Sequence, residues 1–238
     1  MKMQLISSFA ALALAVPATA QVVTLDVDQD YMSSGFFFGP DFLRGQEDNS
    51  TRATNRATSN PVFGVNGETA YFSFDFDPSA FSGPVQSAVF RSTTVAPGFG
   101  LPEASVGDPA VISLHSLTAD PLATVDLADA STVFAFRDAQ ITTSSIVATE
   151  SITSLGLVEF DVTGLINTWI ADAGATFDFT IGSSALLDQT EAAVAFVNSS
   201  FTGLLPTDVA PQLVITVPEP ATASLVAVAG LIGLRRRR

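Results

Sequence analysis

The sequence predicts an all-β protein, an antiparallel β-sandwich with one short helix. Segments in which apolar and polar residues alternate recur along most of the 238 residues. Clusters of Gly, Pro, Asp and Ser separate these segments, as turns between short strands do. The two ends of the chain depart from this pattern and are apolar. A β domain between two apolar terminal segments follows from these observations.

The N-terminal segment has the three parts of a secretory signal peptide. Lys2 gives a positive start, and an apolar run over residues 5–16 follows it. Ala18 and Ala20 then form an A-x-A cleavage site. This order predicts a signal helix within residues 1–20 that is removed on export, leaving Gln21 as the first residue of the mature chain. A buried N-terminal helix is the alternative interpretation.

The body of the chain, residues 21–216, holds the predicted strands. In residues 71–77, three Phe side chains share one strand face while Ser and Asp share the other. Residues 176–182 and 212–217 alternate in the same way. Further strands are predicted over 22–28, 85–94, 110–118, 132–137, 156–161 and 192–198. Many short strands with turns between them are typical of a sandwich, whose half-exposed sheets carry polar residues on the solvent side.

Residues 161–174 predict the one helix of the body, because their apolar residues recur at helical spacing. Asp161 or Thr163 is expected to cap the helix, and Gly174 is expected to end it. Trp169, the only Trp of the chain, lies on the apolar stripe. We therefore expect Trp169 to pack in the core, although a lone Trp also suits stacking on a sugar.

The charge of the body narrows the range of partners. It carries five Arg against 23 acidic side chains, a formal charge of −18, which should repel nucleic acid.

The absence of Cys excludes disulfides, zinc–thiolate sites and a thiol nucleophile. The only His, His115, lies in an apolar strand-like run, where a buried structural role is expected.

Two groups of acidic residues are candidate sites. Asp26, Asp28 and Asp30 alternate and would project from one face of an extended strand, where three carboxylates suit Ca²⁺. A solvent-facing acidic strand is the alternative. Asp75 and Asp77 also share a strand face, as the paired carboxylates of a glycosidase require. Same-face pairs are common in an acid-rich β protein, and the sequence has no G-x-S-x-G, HExxH or P-loop motif, so a non-enzymatic protein is predicted.

The C-terminal segment, residues 217–238, has three parts. The motif Val217, Pro218, Glu219 and Pro220 comes first, an uncharged apolar run over residues 221–234 follows, and Arg235, Arg236, Arg237 and Arg238 end the chain. As a helix, the apolar run rises about 21 Å, short of a hydrocarbon core of roughly 30 Å. It can insert by local thinning of the bilayer, with the arginines held on the cytoplasmic side.

This order of motif, apolar helix and basic cluster resembles the PEP-CTERM sorting signal of Gram-negative bacteria. The resemblance implies recognition by an exosortase, a membrane protease that acts near the motif and releases or transfers the body to the cell surface. It also implies an association with exopolysaccharide and biofilm. An unprocessed membrane anchor is the alternative. The chain would be exported, anchored transiently in the inner membrane, and then placed at the surface or in the matrix.

The body resembles the DNRLRE-type domains, which are also classed with carbohydrate-binding modules. The resemblance rests on FDVTGLINTW (160–169), NSS (198–200) and APQLVITV (210–217). It implies a jelly-roll β-sandwich over residues 21–216 and, further, binding of polysaccharide. The chain departs from the family pattern at about residues 40–60, which read as a long polar loop. The expected function is a non-catalytic surface or matrix protein; the alternatives are a polysaccharide-degrading enzyme and a calcium-dependent adhesin.

Overall fold

The computed structural model describes residues 20–34, 41–44, 54–59, 69–95, 110–126, 130–172, 179–185, 192–197 and 209–218. The strands are β1 (Gln21–Asp26), β2 (Gln29–Ser34), β3 (Asp41–Arg44), β4 (Thr54–Ser59), β5 (Thr69–Phe74), β6 (Ser87–Val95), β7 (Ala110–Ser116), β8 (Ile146–Ile152), β9 (Gly156–Asp161), β10 (Phe179–Ala185), β11 (Ala192–Val197) and β12 (Gln212–Val217). The helices are α1 (Pro121–Thr124), α2 (Ala130–Gln140) and α3 (Thr163–Ala171), with 3-10 turns at Pro78–Ala80 and Thr143–Ser145. By its contacts, Val22–Val217 forms one compact unit.

The described strands form two six-stranded sheets. Sheet A has the order β1-β12-β6-β11-β4, and β9 also pairs with β6. Sheet B has the order β3-β2-β5-β10-β7-β8. The pairings whose register is described are antiparallel. The predicted all-β, antiparallel class is thereby confirmed.

An aromatic core joins the two sheets. The ring of Phe72 in sheet B lies 5.0 Å from that of Phe90 and 5.6 Å from that of Phe196, both in sheet A. Phe74 meets Phe90 edge to face at 6.2 Å. These four side chains are fully buried, as the inward positions of two facing sheets are. The sandwich is therefore held by the alternating Phe residues that the sequence places on its strands.

The predicted strand over 132–137 is wrong, because these residues belong to helix α2. The buried side chains of α2 and the turn after it are Val133, Phe136, Arg137 and Ile141, a helical spacing. Val133 and Phe136 pack with Tyr71 of β5 and Val125 into a second apolar cluster. The run TVFAF is a short apolar segment that the sequence alone cannot tell from a buried strand, and packing of the helix on sheet B decides its conformation.

Two further expectations are corrected by the described elements. The polar stretch at about residues 40–60 was expected to be a loop, yet it contains β3 and β4, which pair with β2 and β11. The fold was expected to contain one short helix, yet the described part contains three. No helix in the described part is long and apolar enough to cross a membrane. The segments predicted as signal helix and transmembrane helix lie outside the described residues, except for Ala20.

Candidate functional site

Side-chain hydrogen bonds fix helix α3 to the beginning of β6. The N-cap of α3 is Val162, which makes no side-chain capping hydrogen bond, so neither Asp161 nor Thr163 caps the helix as predicted. Asp161, one residue earlier, accepts at Oδ1 from Thr163 N at 2.9 Å, and its hydrogen bonds with the Thr163 side chain and backbone lower the pKa of that carboxyl. Thr163 Oγ1 accepts from Ala88 N at 2.9 Å. Asn167 Oδ1 accepts from Val85 N at 2.7 Å, and its Nδ2 donates to Val85 O at 3.3 Å. The polar residues of this segment therefore have structural partners.

Trp169 packs in the core, as predicted. It is half-buried against the main apolar cluster and meets Phe76 edge to face at 6.2 Å. Phe76 is itself stacked on Phe81 at 5.2 Å. Trp169 therefore closes one part of the core together with two Phe side chains.

The C-terminal junction lies where β12 ends. Val217, the first residue of the sorting motif, is the last residue of β12 and packs against the core. The next residue, Pro218, is exposed. β12 lies between β1 and β6, and Thr216 O still accepts a hydrogen bond from Gln86 N at 2.8 Å. Glu219, Pro220 and Arg235–Arg238 lie outside the described residues.

The N-terminal junction lies at the same end of sheet A. Ala20 is exposed and Gln21 begins β1, whereas Ala18 lies outside the described residues. The other ends of β1 and β12 meet, because Gln212 Nε2 donates to Asp26 Oδ1 at 2.7 Å. Since β1 and β12 are paired and equal in length, the start of β1 lies beside the end of β12. Both predicted processing junctions therefore belong to neighbouring strands.

The acidic stretch 26–30 does not form one extended strand, and this premise of the calcium prediction is corrected. Asp26 ends β1 in sheet A, and the chain then crosses to sheet B, where Asp30 lies in β2. In the crossover, Val27 N donates to Pro211 O at 3.0 Å and Asp28 N donates to Ser73 O at 2.8 Å.

The three carboxylates of this stretch have different environments. Asp26 and Asp28 are exposed, whereas Asp30 is only 2% exposed and lies opposite Phe72 in the sheet register. Asp26 already accepts the hydrogen bond from Gln212. Among the described residues, no group of three or more His, Asp or Glu side chains is arranged to hold a metal ion. The calcium site stays a prediction, to be tested directly.

A polar row that sequence reasoning missed crosses four strands of sheet A. Arg91 of β6 donates from Nε and Nη2 to Gln212 Oε1 at 3.2 and 3.0 Å, and Gln212 in turn donates to Asp26. Glu159 of β9 lies opposite Arg91 on the other side. Asp26 and Glu159 are exposed, so the row lies on the outer face of the sandwich. Only the strand pairing brings these distant residues together, and no local pattern signals it.

The predicted carboxylate pair has a structural use in the turn after β5. Asp77 Oδ1 accepts from Ser79 N at 2.8 Å and from Ser79 Oγ at 2.6 Å, and these bonds lower the pKa of Asp77. Asp77 thereby caps the 3-10 turn Pro78–Ala80. Asp75 lies beyond the end of β5 and is exposed. The two carboxyls follow the strand instead of lying on one face of it.

His115 is buried and has a hydrogen-bond partner, as expected for a structural His. Its side chain is 3% exposed, and Nδ1 lies 2.9 Å from Ser145 Oγ. Burial lowers its pKa to about 4, so the ring is neutral at pH 7. Ser145 Oγ donates to the backbone oxygen of Gln140, the last residue of α2, at 2.7 Å. His115 therefore links β7 to the turn that leads into β8.

No protein-family model matches the chain, and no curated protein matches it significantly.

Proposed function

We propose that this chain is an exported, exosortase-processed protein of the cell surface or extracellular matrix, non-catalytic and associated with exopolysaccharide. The observation that carries this proposal is the three-part segment of motif, apolar run and arginines that begins at Val217. The motif begins at the last residue of β12 and continues into the exposed Pro218. An exosortase would therefore meet its motif directly behind the folded domain, and cleavage after Val217 would leave β12 in place.

Under this proposal the body is a jelly-roll sandwich of the DNRLRE type. The segment that carries the resemblance supplies Thr163 and Asn167, which hold α3 on β6. In the final segment, Pro211 is buried and its carbonyl accepts from Val27 N, and Leu213 is fully buried. These contacts support a resemblance in fold, because these described residues of the shared pattern each have a structural role.

The polar row on sheet A is the part of the described surface that best suits a polysaccharide. Hydrogen bonds join the Arg91 guanidinium, the Gln212 amide and the Asp26 carboxylate, so these three groups are ordered before a ligand arrives. The acidic surface favours a neutral glycan, or an anionic one bridged by Ca²⁺. Calcium dependence would connect the glycan to the acidic stretch at Asp26, Asp28 and Asp30.

The sorting step is tested by changing the motif in an exosortase-containing host. Glu219→Gln is expected to leave the body in the membrane fraction with its C-terminal segment attached, while the unchanged chain reaches the surface. Glu150→Gln is the matched control, because it removes an exposed carboxylate of β8, in sheet B, without touching the motif or the polar row of sheet A. Normal surface display of the Glu219→Gln protein would contradict the proposed recognition.

The role of the body is tested by co-sedimentation of residues 21–217 with the host's exopolysaccharide, in Ca²⁺ and in EDTA. Binding is expected, and loss of binding in EDTA would assign Ca²⁺ to the interaction. Binding that EDTA leaves unchanged would keep the glycan and remove the metal. A reducing-sugar assay on the same polymer checks the non-catalytic assignment, which sustained turnover would overturn.

A further inference from the structure

The predicted mature chain has a single primary amine. The only Lys of the sequence is Lys2, within the signal segment, and the five cations of the body are all Arg. A guanidinium stays protonated at any pH a cell meets, so it is not a nucleophile. After cleavage behind Ala20, the α-amino group of Gln21 is therefore the one amine that can react.

The structure leaves the Gln21 side chain free to fold back onto the α-amino nitrogen of the same residue. Gln21 is exposed at the very start of β1, and the compact unit of the domain begins one residue later, at Val22. Within the described part of the chain, no residue makes a hydrogen bond to the Gln21 side chain. Turning this side chain back toward its own nitrogen therefore breaks no described side-chain contact.

We propose that Gln21, once it is the first residue, cyclises to pyroglutamate. The α-amino nitrogen attacks the side-chain amide carbon Cδ and forms a five-membered lactam. The bond from Cδ to Nε2 breaks, and Nε2 leaves as ammonia with a proton from the attacking amine. The inference rests on the proposed export, because the α-amine of Gln21 exists only after the signal segment has been removed.

The chemistry needs no oxidant, metal or co-reactant. An α-amino group has a pKa of about 8, so a useful fraction is unprotonated and nucleophilic near neutral pH. The neutral amide is a slow electrophile, but the reaction is intramolecular, and in the described residues no hydrogen bond holds the Gln21 side chain away from its own nitrogen. An enzyme that closes N-terminal Gln residues would speed the same step.

The product is a chain without any primary amine. It cannot form Schiff bases with the reducing ends of sugars, because that reaction needs a Lys or α-amino nitrogen to attack the sugar carbonyl. Cyclisation also removes the positive charge of the α-amino group. Nothing at the N-terminus then offsets the formal charge of −18 that the side chains of the body carry. A protein held among polysaccharides would then escape glycation at amines. Aminopeptidases could not remove its first residue.

The test uses the full chain, expressed in an exporting host and analysed directly after isolation. The mass of the N-terminal peptide is measured by mass spectrometry. The intact protein is treated with an N-hydroxysuccinimide ester that labels amines. The expected result is a peptide that begins at residue 21, is lighter than the Gln21 form by one ammonia, and carries no label.

The matched control is Gln21→Asn. It keeps a side-chain amide and the Ala18–Ala20 cleavage site, but its shorter side chain would require a four-membered ring. This variant is expected to keep its amine and to take one label per chain. A wild-type chain that starts at Gln21 with full mass and one label would overturn the inference while leaving the export proposal intact. A chain that starts elsewhere would overturn the predicted cleavage and the inference with it.

Discussion

His115 ties the outer side of sheet B to the segment that covers it. Its ring contacts Ser145 Oγ, which also accepts from Thr142 N at 3.1 Å, so one hydroxyl orders the turn between α2 and β8. The neutral ring suits this site, because burial penalises the imidazolium and lowers the pKa of His115 to about 4. The position of this His could be anticipated from its apolar neighbours, but Ser145, 30 residues away, could not.

The pH dependence of stability follows from this site. In the unfolded chain the His pKa is about 6.5, above its folded value of about 4. The unfolded state therefore binds more protons between these values, and the free energy of unfolding falls as the pH is lowered through this window. The loss attributable to His115 is at most about 3 kcal/mol, measured by urea unfolding at pH 7 and pH 4.5.

His115→Gln is the comparison that isolates this effect from the carboxylates. The variant is expected to be less stable at pH 7 and to lose less stability than the wild type on acidification. Asp77 and Asp161 act at lower pH, because hydrogen bonds lower the pKa of each carboxyl. Parallel pH profiles of wild type and variant would contradict the account of His115.

Polar side chains, as well as the apolar stripe, hold helix α3 on β6 and on the residues just before it. Asn167→Ala removes both hydrogen bonds to Val85 and leaves that buried residue's N–H and C=O without their partner. We expect a loss of about 2 kcal/mol in the free energy of unfolding. Thr168→Ala is the control, since Thr168 is exposed and bonds only to Gly164 O within the same helix. Equal effects of the two changes would remove the proposed role of Asn167.

Helix α2 stabilises the second apolar cluster, which it forms against sheet B. Phe136→Ala is expected to lower the free energy of unfolding by about 3 kcal/mol, because the Phe136 ring is buried 6.4 Å from that of Tyr71. Ala135→Ser, on the exposed side of the same helix, is expected to change it by less than about 0.5 kcal/mol. Urea unfolding checks both values, and a Phe136→Ala protein as stable as the control would contradict the packing of α2 on this sheet.

Some elements follow from a local sequence pattern, whereas others form only through contacts with distant residues. β9 and β12 have their predicted bounds, because each has a clear alternation between turn residues. β4, with the polar sequence TNRATS, has no apolar alternation and forms a strand by pairing along its whole length with β11. Residues 132–137 of α2 were predicted as a strand because a short apolar run does not distinguish a helix from a buried strand. Nonlocal contacts decided these last two elements.

The whole molecule combines an aromatic core with a strongly acidic surface. With five cations and 23 acidic side chains in the body, repulsion between surface charges opposes the folded state. We expect the melting temperature of residues 21–217 to rise with NaCl, because salt screens this repulsion. CaCl₂ at matched ionic strength gives the calcium comparison. A melting temperature that NaCl lowers would contradict this view of the surface.

The arrangement of the ends is a property of the whole fold that neither terminal segment reveals by itself. β1 and β12 are neighbours in sheet A, and the predicted junctions at Gln21 and Val217 lie at the same end of that pair. Each junction is predicted separately, from a local motif. Their proximity follows only from the sheet, and it means that both processing steps would act on one side of the domain.

The most direct test of the proposed function is the C-terminal residue of the surface form, measured by mass spectrometry in paired strains with and without the exosortase. We expect the exosortase-containing strain to give a chain that ends near the motif, behind the intact β12, and lacks residues 221–238. The strain without the enzyme should keep the full C-terminus in its membrane fraction. The same C-terminal residue in both strains would contradict the account.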